Sequence, residues 1–131
     1  MLVSLYTLPR CAASDEARRA LTSRGIAFTE RSAADQSPPV SPVIATVVDG
    51  HLVAWHGHYP DLLDLLADLI SEGPVQAHGL LTRNEACEAV LTRQQVLAQV
   101  EKHYLYPQQF LDECGDHPLY RGAVLMDWLG Y

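Results

Sequence analysis

The chain has 131 residues, the size of one small domain or of a small domain with a helical appendage. Its formal net charge is −7 with histidine neutral, both halves are acidic, and Lys102 is the only lysine. Phosphate-driven nucleic-acid binding and attraction to an anionic membrane surface both need clustered Lys and Arg, so neither is expected. With 48% hydrophobic and 19% charged residues the chain suits a packed core.

Leu2 to Leu8 is short and apolar, is followed by Pro9, and reads as a buried strand. Behind Cys11-Ala12-Ala13-Ser14, the segment Asp15 to Ser23 places Ala17, Ala20 and Leu21 at helical spacing and stops near Arg24-Gly25. Ile26 to Glu30 alternates like a second strand, and the polar, proline-rich Ser32 to Pro39 reads as a loop. Val43 to Val48 is rich in β-branched residues and ends at Asp49-Gly50, a hairpin turn signal whose return strand is His51 to Trp55. Pro60 suits a helix start, with Leu62, Leu65, Leu66 and Leu69 along one face.

A break follows at Ser71 to Pro74. The remainder reads as helices alone. Thr82 with Glu85, and Thr92 with Gln95, both fit the capping box. Val96, Leu97, Val100 and Tyr104 form one apolar stripe, Pro107 to Glu113 a short helix ended by Gly115, and Val124, Leu125, Trp128 and Leu129 another stripe. Tyr104, Tyr106, Phe110, Tyr120, Trp128 and Tyr131 make this segment aromatic, as a core or an interaction surface would be.

No stretch is long and apolar enough to span a bilayer, and the N-terminus lacks the pattern of a signal peptide, so a cytoplasmic location is expected. Cys11, Cys87 and Cys114 form an odd set, too few for a disulfide scaffold, and read as free thiols. Of these, Cys11 carries the chemical interest. It lies after a strand and before a helix, where unpaired amides and the positive end of the helix dipole favour thiolate over thiol. The alternative is an inert cysteine buried at a strand end, and the local sequence leaves both open.

Leu5-Tyr6-Thr7 leading into Cys11-Ala12-Ala13-Ser14, with Ala17, Ala20, Leu21 and Arg24-Gly25-Ile26 behind, resembles the start of a glutaredoxin, above all an NrdH-type redoxin. Ser41-Pro42-Val43-Ile44 falls where that family has its cis-proline. Trp55-His56-Gly57-His58-Tyr59-Pro60-Asp61 matches the family pattern Trp-Ser-Gly-Phe-x-Pro-Asp at Trp55, Gly57, Pro60 and Asp61. The resemblance covers residues 1–70. It implies an α/β, thioredoxin-like fold of glutaredoxin type, a small mixed sheet with flanking helices. It further implies Cys11 as the attacking sulfur, Pro42 as the cis-proline beside which an extended substrate pairs at Ser41, and Trp55 and Gly57 on the substrate-binding face. Trp55 as a plain core aromatic and Pro42 as an ordinary trans turn proline are the bland alternatives.

Two departures qualify what the resemblance implies. The family's second cysteine is Ser14 here, and a hydroxyl has no redox chemistry with which to resolve a mixed disulfide. Ser14 can donate a hydrogen bond to the Cys11 thiolate, and resolution would fall to glutathione, or to Cys87 or Cys114. The segment between Phe28 and Pro42 is also short, so the second sheet-covering helix is expected to be shortened or lost. The expected organisation is a redoxin-like domain over 1–71, a linker over 72–79 and a small all-helical module over 80–131.

His56 and His58, with His51 nearby, are spaced like a metal pair but lack further ligands, and read as solvated histidines; no metal is expected. Two functions are therefore in view. One is a single-thiol oxidoreductase acting on protein or glutathione disulfides through Cys11 in a Cys-x-x-Ser site. The other is a redox-inactive adaptor, regulator or inhibitor, of a kind that fits a viral or mobile genome, contacting a partner protein through its helical extension. The sequence leaves the oligomeric state open.

Overall fold

The computed structural model describes residues 2–34, 41–73 and 83–130. Most of the Ser32 to Pro39 loop, the linker from residue 74 onward, Thr82 of the first capping box and Tyr131 lie outside these residues. The chain divides into two compact units, Met1–Ala67 and Asp68–Tyr131. Among the described residues no helix is long and apolar enough to cross a membrane.

The first unit is mixed α/β. Its strands β1 (Val3–Thr7), β2 (Thr29–Ser32), β3 (Val43–Val48) and β4 (His51–His56) form one sheet in the order β2-β1-β3-β4. β1 and β2 are parallel and the other pairs antiparallel. A parallel neighbour needs a crossover, and α1 (Ala12–Ser23) supplies it. β3 and β4 need only a tight turn. Asp49 and Gly50 both take positive φ, 51° and 79°, as the primed hairpin turn requires.

One face of the sheet is buried: Val3, Leu5, Ile44, Thr46, Val48, Val53 and Trp55 point inward. Ser14, Ala17 and Leu21 form the buried side of α1, and α2 spans Pro60–Glu72. Arg24 and Asp64 join the two helices at 2.7 Å. On α2 the fully buried residues are Leu63, Leu66 and Leu69, whereas Leu62 and Leu65 are half-buried. The buried stripe is thus rotated by about one residue from the sequence expectation. The opposite sheet face presents Val47 and Leu52, which pair with each other and are 59% and 71% exposed. Among the described residues no helix lies between β2 and β3.

The second strand begins three residues later than expected, and the cause is the end of α1. Gly25 takes φ 69°, its amide bonds Thr22 O at 3.0 Å, and the Ile26 amide bonds Leu21 O at 3.0 Å. These are the paired bonds of a Schellman cap. Ile26 is therefore spent closing the helix, and the ladder opens only at Thr29.

The second unit corrects the all-helical expectation. It contains α3 (Arg83–Glu88), β5 (Val90–Thr92), α4 (Arg93–Lys102), α5 (Pro107–Cys114), β6 (Leu119–Arg121) and α6 (Gly122–Leu129), and β5 pairs antiparallel with β6. Two helix-strand-helix halves, α3-β5-α4 and α5-β6-α6, meet at a ladder centred on the Leu91–Tyr120 pair. The amide of Arg93 bonds Pro118 O at 3.1 Å, and in the matching position Gly122 bonds Ala89 O at 2.7 Å. Three-residue strands running straight into helices carry no alternation that a sequence pattern can register.

Between the halves lies a core of Val96, Val100, Phe110, Tyr120 and Leu125. Phe110 packs edge-on against Tyr120 and Trp128, each with ring centroids 5.3 Å apart. The buried Tyr120 hydroxyl is satisfied: it donates to Gly115 O at 2.5 Å and accepts from the His117 amide at 2.8 Å. The aromatic residues therefore divide, because Tyr104 is 96% and Tyr106 77% exposed. Tyr104 lies past the C-cap His103 of α4 with φ 58°, outside the stripe expected to hold it.

Candidate thiol site

α1 begins earlier than its apolar spacing suggests, because Cys11 is its N-cap. Cys11 is extended (φ −103°, ψ 110°), and its carbonyl accepts the Asp15 amide at 3.2 Å. The preceding turn reverses the chain with Arg10 at φ 57°. This places the sulfur at the amide-rich end of a twelve-residue helix, half-exposed.

The opposite wall comes from the residues leading into β3. The β1–β3 register pairs Tyr6 with Val43, so the same ladder carried two residues outward sets Leu8 against Ser41. The Leu8 amide donates to Ser41 Oγ at 3.0 Å. Ser41 Oγ is in turn hydrogen-bonded to Ser14 Oγ, and the Ser14 side chain is buried. The Cys11 thiol reaches the Ser41 carbonyl at 4.0 Å. The Ser41–Pro42 peptide is cis, Pro42 is fully buried, and its carbonyl accepts the Gly57 amide at 2.8 Å.

The Cys11 thiol is held below its ordinary pKa. The Ser14 hydroxyl contributes most, followed by the Ser14 amide and the Ser41 hydroxyl; desolvation opposes them, and the Ala13 amide adds a smaller lowering. Hydrogen-bond donors near a sulfur favour its thiolate form. Cys114 shows the contrast: burial, with the nearby Glu113 charge, pushes its thiol up. All three cysteines are free.

Cys11, Ser14 and Ser41 thus meet around one sulfur, and Gly57 is tied to them through Pro42. Gly57 takes φ 111°, and a Cβ there would fall 2.9 Å from the Tyr59 ring. Trp55 is placed differently. Its side chain is 8% exposed on the inward sheet face, opposite Ile44, with the indole N–H buried and without a partner among the described residues. His58 Nδ1 is likewise buried without a partner. Among the described residues no group of three His, Cys, Asp or Glu side chains is placed to hold a metal ion.

The bond between Ser14 and Ser41 was not legible from the chain. Each residue draws notice separately, but their meeting depends on the β1–β3 register, for which the only sequence signal is the strand before Pro9 and the strand after Pro42.

No family model matches the chain, and no curated protein matches it. Among solved structures it is similar to FzlA from C. crescentus, with a TM-score of 0.42 and 15% identity. That alignment covers 86% of this chain and 48% of the other, so the chain spans about half that protein's length.

Proposed function

We propose that the protein is a single-thiol oxidoreductase of glutaredoxin type, built on a thioredoxin-like domain, with Cys11 as its nucleophile. The carrying observation is the half-exposed Cys11 sulfur at a helix N-terminus, with the Ser14 and Ser41 hydroxyls beside it and its pKa lowered. The strand order β2-β1-β3-β4, with one parallel and two antiparallel pairs, agrees with the fold the resemblance implies.

The Cys11 thiolate attacks one sulfur of a substrate disulfide. A bond forms from Cys11 to that sulfur, the substrate S–S bond breaks, and the other sulfur leaves as a thiolate that takes a proton from water. A second thiol, of the glutathione class, then attacks the mixed disulfide as its thiolate. Its sulfur bonds to the substrate sulfur and Cys11 departs with the electron pair. Each round consumes one substrate disulfide and one external thiol and yields one substrate thiol and one new disulfide between the external thiol and the remaining substrate sulfur. Ser14 takes no electrons; it donates a hydrogen bond to the sulfur at both charged moments.

A glutathionylated peptide incubated with glutathione and the protein tests this. Wild type should release the peptide thiol catalytically, and Cys11→Ser should fall to the uncatalysed rate. A wild-type rate no higher than that of Cys11→Ser overturns the proposal.

A second reading, a protein-binding module without turnover, is favoured by the loop between α4 and α5. There Tyr104, Leu105 and Tyr106 are exposed in succession, a pattern suited to an interface. Its signature is absence of turnover in the same assay, together with a protein partner retained by wild type and lost when Tyr104 and Tyr106 are both replaced by Ser.

A further inference from the structure

We infer that Ser41 is a positioning residue for the redox sulfur: its hydroxyl, fixed by the Leu8 amide, joins the Ser14 hydroxyl in a two-group donor that serves the Cys11 thiolate. This rests on Cys11 being the nucleophile proposed above.

Proton accounting carries the argument. The two hydroxyls own two protons. One lies in the bond between Ser14 Oγ and Ser41 Oγ. Ser41 Oγ already accepts the Leu8 amide, so the pair needs no further donor on that side. One O–H remains to be placed. When Cys11 is a thiol, it can donate toward the Ser41 carbonyl. When it is a thiolate it has no proton and only accepts, and the spare O–H of the pair is then the donor beside it. If Ser41 donates to Ser14, the spare proton is on Ser14, the stronger of the two hydroxyl influences on the sulfur. In this direction Ser41 accepts one bond, from the Leu8 amide, and donates its own proton to Ser14. Ser41 therefore acts on sulfur chiefly through Ser14.

Charged groups do not account for the thiol's state. Arg10 precedes the sulfur in the chain, and Asp15, Arg18 and Glu30 are engaged with one another, Arg18 bridging to Asp15 at 2.7 Å and to Glu30 at 2.6 Å. His56 and His58 flank Gly57, whose amide reaches Pro42. The influences on the Cys11 thiol are hydroxyl and amide donors opposed by desolvation. A single-thiol cycle uses this donor twice, when Cys11 attacks and when it leaves the mixed disulfide, since a sulfur with a lower pKa leaves faster.

The test is the pH dependence of iodoacetamide alkylation at Cys11, followed by peptide mass mapping, in wild type, Ser14→Ala, Ser41→Ala, the double variant and Ser41→Thr. Far-UV circular dichroism checks that each is folded. The midpoint should rise in both single variants, with the rate at pH 7 falling about threefold or more, equivalent to half a pKa unit. The double variant should move little beyond the larger single shift, and Ser41→Thr should restore the wild-type profile. Should Ser41→Ala lose its fold, Ser41→Val against the isosteric Ser41→Thr gives the same comparison. The inference is overturned if the profile without the Ser41 hydroxyl matches wild type, or if the two single shifts add in full. Turnover with the glutathionylated peptide separates the two failures. Turnover with an unmoved profile sinks only the role of Ser41, whereas a moved profile without turnover sinks only the oxidoreductase reading.

Discussion

Ser14 lies three residues past Cys11, in the first turn of α1. Its side chain is buried against the Ser41 hydroxyl, so it is already oriented toward the helix start where Cys11 sits. Ser14→Cys should therefore give a protein that forms an internal disulfide with Cys11 on mild oxidation, read as a two-proton mass loss confined to the peptide holding both residues. Retention of two alkylatable thiols there after oxidation would show that the site geometry does not support a pair. The lowered Cys11 pKa also has a sign in stability. Folding favours the thiolate, so the contribution is present above the ordinary thiol pKa and is lost as pH falls through the folded value. At this scale the sequence was informative about single residues. Cys11 could be picked out from its strand-to-helix position, and Ser14 from the resemblance, which sets it where the family has a second cysteine. The hydroxyl pair could not, because Leu8 and Ser41 are brought together only by the ladder between β1 and β3.

Secondary-structure elements that end in local chemistry were legible, and those that depend on distant partners were not. The Thr92–Gln95 capping box is present: Gln95 Oε1 accepts the Thr92 amide at 3.0 Å, and Thr92 Oγ1 accepts the Gln95 amide at 3.2 Å. Thr92→Ala should cost about 1 kcal/mol in urea unfolding, and an unchanged midpoint would mean that the cap is redundant. Gly122 is the opposite case. As a sequence feature it only opens a helix, yet a Cβ there would lie 1.7 Å from the Ala86 carbonyl oxygen of α3 and 3.3 Å from that of Ala89. Backbone cannot yield as a side-chain tip can. Gly122→Ala should therefore destabilise by ~3 kcal/mol, the upper end of the usual cost of overpacking, and a wild-type urea midpoint would contradict the close approach of α3 and α6. Arg93 and Asp116 pair at 2.7 Å, and Arg93, chiefly by hydrogen bonding, holds the Asp116 carboxyl below its ordinary pKa. The stabilisation is present above the ordinary carboxylate range and disappears as pH falls through the lowered value. Because both groups are more than a third exposed, Asp116→Asn should cost less than ~1 kcal/mol at pH 7 and nothing once the pH lies below the lowered value.

At the scale of the whole molecule, the chain joins an α/β unit that carries the thiol to a unit of two helix-strand-helix halves that carries the exposed tyrosines. Hydrophobic pattern and turn chemistry made the first unit's element order readable, down to the Asp49-Gly50 hairpin. The second unit's pairing of β5 with β6 was hidden because three residues cannot display a period. The central claim concerns what the assembled chain does with one sulfur, and glutathione adduct mapping tests it most directly. The 131-residue chain is treated with oxidised glutathione, digested without reductant and examined by mass spectrometry. The prediction is a single adduct on Cys11, removed by excess glutathione and absent from Cys11→Ser, with Cys87 and Cys114 unmodified. An unmodified Cys11, or an adduct that forms as readily on Cys114, would contradict it.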